Sequence, residues 1–276
     1  MGLRIGTNTQ SIAAQRHLGV TNHQLQRSQE KLASGARITR AADDAAGLAI
    51  SEGMRAQIRS IRQDVRNASD GISMVQVAEG GMNEISNILI RFRELSIQSA
   101  SDTISDTERS FIEKEVQQLK EEVSRIALST EFNGRQLLSG EGGVVEVQVG
   151  TGNDPFKDRF AYNTEETMTT LDSLGLTDVS VASKEAAQNN LEAIDGAIST
   201  LAKNRADLGA LQNRLQSTIN NLNIYDENLA AARSRIYDVD VANEVSNLTK
   251  QNILAQVGTT VLGQANSNSQ LALQLL

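Results

Sequence analysis

Residues 201–236 carry the pattern that decides the fold, and they read LAKNRADLGALQNRLQSTINNLNIYDENLAAARSRI. Every seventh position of this stretch is apolar, namely Leu201, Leu208, Leu215, Leu222, Leu229 and Ile236. This spacing keeps one apolar stripe on one face of a helix, as in helices that pack along their length. The pattern predicts one long helix over residues 185–236, spanning roughly 78 Å. A compact globule of this size has a radius of gyration of only about 19 Å, so we expect a rod.

A second set of apolar residues also recurs every seven positions: Met54, Ile61, Ala68, Val75, Met82 and Leu89. It predicts a helix over about 45–99, although Asp70-Gly71 within it is a common turn pair. Ser105 and Glu108 have the spacing of a capping box, which places the start of a further helix near residue 107. That helix is expected to end near residue 128, before Phe132-Asn133-Gly134, and to pack antiparallel to its predecessor.

Residues 140–163 differ in character from the helical stretches. Val145, Val147 and Val149 alternate with polar residues and are followed by the turn-forming sequence GTGNDP. Alternation of this kind predicts a β-hairpin. The polar segment from there to about residue 184 has no clear period and is expected to be loop.

Both ends of the chain carry a thinner apolar stripe among polar residues. Its members are Ile5, Ile12, Leu18, Leu25 and Leu32 near the start, and Val241, Val245, Leu248, Leu254 and Val261 near the end. Helices draw most of their stability from packing, so neither end is expected to stand alone. Each end therefore needs a partner, and the other end is the first choice.

Composition excludes several classes of function. The formal charge of −8 opposes nucleic-acid binding, which needs a basic surface. No apolar run is long enough for membrane insertion, and the first residues lack the apolar core of a secretory signal peptide. The chain has no cysteine, which removes thiol and disulfide chemistry.

Motifs of known enzymes, metal sites and cofactor sites are also missing. His17 and His23 are six residues apart on a predicted helix, without a carboxylate in register, and are expected to be surface residues. We therefore expect no enzymatic activity, no metal and no cofactor. The leucine repeat could belong to a DNA-binding zipper, but residues 178–190 are not basic, which favours packing within the chain.

The stretch RITRAADDAAGLAIS, residues 37–51, sets Asp43 beside Asp44. Adjacent helix residues do not face each other, so a catalytic carboxylate pair is not favoured. Instead, one of the two is expected to cap a helix that begins at Ala45. With Arg37, Arg40 and the small residues around Gly47, the stretch is interpreted as a closely packed joint between two helical segments.

Several motifs together resemble those of bacterial flagellins. They are ASGARI at 33–38 with DDAAGLAI at 43–50, RNASDGISMVQVAEGGMNEI at 66–85, IRFRELSIQSAS at 90–101, TEFNGRQLLSG at 130–140, RADLGALQNRL at 205–215 and ENLAAARSRIYDVDVANE at 227–244. The chain departs from the usual family pattern at Gly6 and Ser269, and it lacks the large central variable domains of many flagellins.

The resemblance implies a mainly α fold. This fold is an elongated antiparallel helical bundle or coiled-coil rod with one small β-hairpin and with terminal helices paired into an inner coiled coil. Residues 1–43 and 237–276 would form the inner tube domain and residues 44–236 the rod domain. The implied function is that of a structural subunit that polymerises with itself, head to tail, into the helical filament for swimming.

The resemblance also implies an extracellular location and a set of partners. The subunit would be exported without a cleaved signal peptide by the flagellar export apparatus, with a cytoplasmic chaperone, a filament cap and hook-junction proteins as further partners. The surface read by the host innate receptor for flagellin would include Arg91, Leu95 and Glu115, although Ile90, Phe92 and Ser96 beside it differ from the common family sequence.

Three alternatives stay open at this point. A hook-filament junction protein shares flagellin-like ends but forms a limited ring. A flagellin with an inserted protease domain would need the zinc motif that this sequence lacks. A coiled-coil adaptor would have folded ends in its monomer.

Overall fold

The computed structural model describes residues 7–274, with side chains as far as residue 268, and divides them into two compact units. The central unit is residues 59–226, and the terminal unit is residues 7–58 with 227–274. The helices are α1 (Thr9–Ser34), α2 (Ala45–Ser99), α3 (Asp106–Ser129), α4 (Lys184–Tyr237) and α5 (Val241–Gln274). The strands are β1 (Glu131–Phe132), β2 (Arg135–Gln136), β3 (Val144–Gln148) and β4 (Arg159–Asn163). The predicted mainly α fold is confirmed.

Local capping explains why the predicted helix ends match the observed ones so closely. The Ser105 amide donates to Glu108 Oε2 at 2.7 Å, and the Glu108 amide donates to Ser105 Oγ at 3.4 Å. This reciprocal pair is the capping box that the sequence predicted, and it satisfies two amides that lack a partner inside the helix. The helix predicted over 185–236 begins and ends within one residue of α4.

The core of the central unit is built on the seven-residue repeat of α2. Ile61, Ala68, Val75, Met82 and Leu89 are all at most 1% exposed. Val116 and Val123 of α3 and Leu201 and Leu208 of α4 close most of this core from two sides. The ion pairs Arg93–Asp195, at 2.6 Å, and Arg62–Asp226, at 3.0 Å, show that α2 and α4 run antiparallel here.

Two hairpins are present where the sequence predicted one. The predicted hairpin is β3 paired antiparallel with β4, with Val147 opposite Phe160. The second joins β1 to β2 through Asn133 and Gly134, whose φ angles are 51° and 76°. Helix α3 ends at Ser129, close to the predicted end, and the Asn-Gly pair beyond it forms a two-residue hairpin turn.

The segment from residue 164 to residue 183 has no helix or strand, as predicted, but it contributes to the core. Four of its apolar side chains are buried: Leu174, Leu176, Val179 and Val181. Two polar side chains of α3 bind the backbone of this segment. Lys120 Nζ donates to the carbonyls of Thr177 and Val179 at 2.6 and 3.1 Å. Glu113 accepts from the Val181 amide at 2.6 Å. Buried backbone groups of an irregular segment are thus satisfied by side chains.

Within residues 7–274 no helix is both long enough and apolar enough to cross a lipid bilayer. The predicted domain boundaries at residues 43/44 and 236/237 follow helix ends, whereas the two compact units divide at 58/59 and 226/227. The predicted domains stay a prediction.

We expect Leu208→Ala to destabilise the chain far more than Leu222→Ala, although both leucines belong to the same repeat. Leu208 is 1% exposed, so its truncation leaves a cavity and costs about 2–5 kcal/mol, whereas Leu222 is only half-buried. Urea unfolding followed by circular dichroism measures both variants. Equal losses in the free energy of unfolding would show that the exposed fraction of a leucine in this repeat does not predict its contribution to stability.

Candidate functional site

The two breaks between helices in the terminal unit lie side by side. Ala36, just after α1, forms an antiparallel bridge with Asp238, just after α4. The Arg37 amide donates to the Tyr237 carbonyl at 2.7 Å, and the Val239 amide donates to the Gly35 carbonyl at 3.0 Å. Gly35 has a φ of 69°, which ends α1 in the left-handed conformation that favours glycine. The stretch interpreted as a joint, residues 37–51, thus begins beside a second helix break to which it is bonded through the backbone.

Arg37 strengthens this connection from its side chain. Its Nε donates to the Ile236 carbonyl at 3.0 Å, and its Nη2 lies 3.6 Å from Asp44 Oδ2. The guanidinium thus sits at the carboxyl end of α4, where unpaired carbonyls and the helix dipole favour a cation. Arg40 instead pairs with Glu30 of α1 at 2.8 Å.

Asp44 occupies the capping position at the start of α2. Its Oδ1 accepts the Gly47 amide at 2.8 Å, which satisfies one of the free amides of the first turn. A Cβ on Gly47 would collide with the Asp44 carboxylate and lie 3.0 Å from Ile38 Cδ1. Glycine at residue 47 therefore leaves room both for the capping carboxylate and for the buried Ile38.

Asp43 has a separate set of partners. Its Oδ2 accepts the Thr39 hydroxyl at 3.0 Å and the Thr39 and Arg40 amides at 3.2 Å, and its other oxygen accepts from Arg27 of α1. The Thr39 hydroxyl, and then Arg27 and the two amides, lower the pKa of Asp43 to about 2. The two adjacent carboxylates thus have different roles: Asp43 closes the turn, and Asp44 caps α2.

A second capping aspartate was missed by the sequence analysis. Asp240 Oδ1 accepts the amides of Ala242 and Asn243 at 3.0 and 3.2 Å, which starts α5. The signal was present, because Asp240 precedes a helical stretch with Asn243 three residues later.

Helices α1 and α5 pack against each other through small and polar side chains. Ser11, Ser28 and Ala265 are buried, and a Cβ on Gly258 would lie 3.1 Å from Leu18 Cδ1. The Ser11 hydroxyl donates to Asn266 Oδ1 at 2.8 Å. Small residues let two helices approach closely, but such a contact buries little apolar surface.

The apolar stripes predicted at the two ends divide between this contact and the exposed surface. Leu18, Leu25, Leu32 and Leu248 are half-buried, whereas Ile12, Val241, Val245, Leu254 and Val261 are exposed. Ile5 lies outside the described residues. Ile253, Leu254, Val257 and Val261 form what we name the outer stripe of α5, each 44–56% exposed. The exposed face of a helix is normally polar, so this apolar stripe is unusual.

The three candidate receptor residues do not share one surface. Arg91 Nη2 pairs with Glu115 at 2.8 Å, and both side chains are exposed. Glu115, with Glu94, raises the pKa of Arg91. Leu95 is only 2% exposed and packs in the core of the central unit, because it lies on the same face of α2 as Phe92 and Leu89.

The histidines show no metal-binding arrangement. His17 and His23 are exposed on α1. Among the residues described, no group of three or more His, Cys, Asp or Glu side chains could hold a metal ion.

We expect Asp44→Ala to weaken the start of α2 by about 1 kcal/mol, because the Gly47 amide loses its acceptor. Hydrogen exchange at that amide measures the loss directly. Asp44→Ser is the matched control, since serine also caps helices and should keep the protection. Faster exchange in both variants, or in neither, would contradict the capping role.

We expect Asp43 to make the stability of the terminal unit depend on pH, and to do so only in acidic solution. Its pKa is lower in the folded chain than its ordinary value of 3.8, so its stabilisation is complete above pH 4. This stabilisation is lost as the pH falls from about 4 towards 2, because the unfolded chain binds the proton more readily. Carboxyl-carbon NMR titration of Asp43 tests this, and Thr39→Val should raise the measured pKa. A value near 3.8 in the unmodified chain would contradict the arrangement.

Comparison with known proteins places these features in one family. Residues 5–142 match the bacterial flagellin N-terminal helical region, and residues 191–276 match the bacterial flagellin C-terminal helical region. Flagellin of Halalkalibacterium halodurans is 43% identical over 274 residues, covering 99% of both chains. Flagellin of Bacillus subtilis is 40% identical over 303 residues, covering 99% of this chain and all of that protein.

Solved structures agree with these matches. The crystal structure of Bacillus cereus flagellin has a TM-score of 0.51 at 30% identity, over 57% of this chain and 88% of that one. A flagellar hook-associated protein from Vibrio parahaemolyticus has a TM-score of 0.58 at 15% identity, over 71% of this chain and all of that one, which shows a shared fold alone. The chain belongs to the bacterial flagellin family, whose members are structural subunits of the extracellular flagellar filament and not enzymes.

Proposed function

We propose that this chain builds the filament through its terminal unit, with the outer stripe of α5 as a principal contact between copies. The observation that carries the proposal is the exposure of Ile253, Leu254, Val257 and Val261 beside a helix pair whose own contact is small and polar. An apolar stripe of this kind gains stability when another surface covers it. In a flagellin, which polymerises with itself, other copies of the chain supply that surface.

The proposal extends to the domains that the sequence suggested. Residues 1–43 and 237–276 would form the inner tube and residues 44–236 the rod. The fully buried residues of the α1–α5 pair are Ser11, Ser28 and Ala265, and its leucines are only half-buried, so the pair has little to hold it in an isolated subunit. Its ordering would then be coupled to assembly, as in other segments that fold on binding.

Head-to-tail contact explains why the product is a filament and not a closed oligomer. When two different surfaces of one chain meet, each added copy offers the next binding surface, and a rotation that does not close yields an open helix. The joint at Arg37, Asp43 and Asp44 would fix the direction in which the terminal helices leave it. The fixed geometry is supported by the backbone bonds at Ala36 and Asp238.

Further partners are proposed from family membership alone. They are the flagellar export apparatus, a cytoplasmic chaperone that holds the C-terminal segment, the filament cap and the hook-junction proteins. The host innate receptor for flagellin would contact the exposed Arg91–Glu115 pair on α2 and α3. Leu95 would act there only by packing beneath that pair.

We expect Val261→Asp to prevent filament formation, because it places a charge in a stripe that must be desolvated on assembly. Electron microscopy and sedimentation after salt-induced reassembly measure the result, alongside a chain that lacks residues 237–276. Gln256→Asp is the matched control, since Gln256 is an exposed polar residue of the same helix and its change should leave filaments intact.

Normal filaments from Val261→Asp would overturn the role of the outer stripe, and filaments from the truncated chain would overturn the role of the terminal unit. Short rings from the unmodified chain would instead indicate a junction protein. A soluble species with protected ends would indicate a coiled-coil adaptor.

A further inference from the structure

Phe156, in the loop between β3 and β4, is 92% exposed. The chain has five phenylalanines and no tryptophan, so a ring left in solvent is a substantial share of its aromatic surface. A single exposed apolar residue is common in proteins and means little alone. Two further features make Phe156 a candidate contact residue: the hydrogen bonds of its loop, and a groove elsewhere in the central unit.

Hydrogen bonds hold the backbone of the loop around Phe156. Asp154 Oδ1 accepts the Phe156 amide at 2.9 Å, and Asp158 Oδ2 accepts the Asp154 amide at 2.9 Å. The Asp158 amide donates back to the Asp154 carbonyl at 2.9 Å. A Cβ on Gly150 or on Gly152 would collide with the Asp158 carboxylate, so the loop closes this tightly only with glycine at both positions. A residue whose backbone is already fixed loses less entropy on binding than one in a flexible loop.

A groove of about 430 Å³ lies between α2, the β1–β2 hairpin and β3. Its apolar lining includes Gly71, Met74, Leu137 and Val145. Such a volume accommodates one aromatic ring, and apolar grooves with a polar edge are the usual form of binding sites.

Charges at the loop and at the groove are complementary. Asp70 and Arg135 lie at the edge of the groove, are exposed, and make no ion pair within the described part of the chain. The loop offers the opposite charges beside its ring: Lys157 could meet Asp70, and Asp154 could meet Arg135. The Lys157–Asp154 pair within the loop is long, at 3.5 Å, and is exposed, so it competes weakly with these contacts.

We propose that Phe156 of one copy enters the groove of the next copy, with Lys157 and Asp154 facing Asp70 and Arg135. The inference rests on the proposed function, because only a chain that polymerises brings the two surfaces together at high local concentration. Ring and groove are different surfaces of the same unit, so the contact is heterologous and repeats from copy to copy. Aromatic residues held at the centre of a contact commonly dominate its affinity.

Engineered cysteines test the contact directly, because the chain contains none of its own. The double variant Phe156→Cys with Asp70→Cys is assembled, oxidised mildly and separated on a denaturing gel without reductant. We expect a ladder of linked subunits from the double variant, dimers alone from a mixture of the two single variants, and monomers from each single variant. Filaments without a ladder, or dimers from Phe156→Cys alone, would overturn the contact.

The critical concentration for assembly gives a second test. We expect Phe156→Ala to raise it about tenfold, a typical loss for an aromatic anchor, and Phe156→Leu to raise it less. Thermal unfolding of the Phe156→Ala monomer should not change, because the ring makes no core contact. Equal critical concentrations for the unmodified chain and for Phe156→Ala would overturn this contact alone. Unmodified chain that fails to polymerise would overturn the proposed function and this contact with it.

Discussion

The seven-residue repeat of α2 in the central unit is the constraint on which the rest of that unit depends. Helices α3 and α4 close on it with valine and leucine, and the β3–β4 hairpin approaches it at Ala68 and Gly71. A Cβ on Gly71 would lie 3.2 Å from both methyl groups of Val147, which is tighter than ordinary contact. The Asp70-Gly71 pair, a common turn signal, lies inside α2, and the glycine there leaves room for the neighbouring strand β3.

The terminal unit obeys a different constraint, because its helices cannot satisfy their apolar surface with each other. Ser11, Ser28 and Gly258 let α1 and α5 come close, whereas the outer stripe of α5 stays in solvent. In an ordinary globular protein the larger side chains would take the inner positions. Here the fully buried residues, Ser11, Ser28 and Ala265, are small, and the leucines of the pair are only half-buried, which suits the proposal that further apolar contacts are made with other copies.

Helix positions could be predicted well from the sequence because two local signals coincide. The repeats fix which face is buried, and capping residues such as Ser105 and Asp44 fix where each helix begins. The β1–β2 hairpin was missed because its strands are two residues long, too short to show alternation. Residues 164–183 were read only as loop because the groups that hold them, Lys120 and Glu113, are distant in sequence.

The candidate site shows the same division between local and distant information. The capping role expected of one aspartate follows from residues three positions apart, and Asp44 makes that bond to Gly47. The bonds of Arg37 to the end of α4, and the bridge between Ala36 and Asp238, join positions about two hundred residues apart and have no local signature. Likewise, the stripe of α5 is visible as a sequence pattern, but which of its members face α1 depends on which face of α5 carries the small residues.

Under the proposed function, the joint would explain how a chain with exposed apolar residues at its ends can still assemble into one geometry. Apolar contact is not directional, so a stripe of valine and leucine would accept many partners and many angles. Hydrogen bonds are directional, and at the joint they fix both chain breaks through Asp43, Asp44 and Arg37. In the proposed filament, the exposed stripe would supply the free energy of association, and the bonded joint would restrict the directions in which that stripe can be presented. A filament of uniform structure needs both, since affinity without fixed direction gives aggregation.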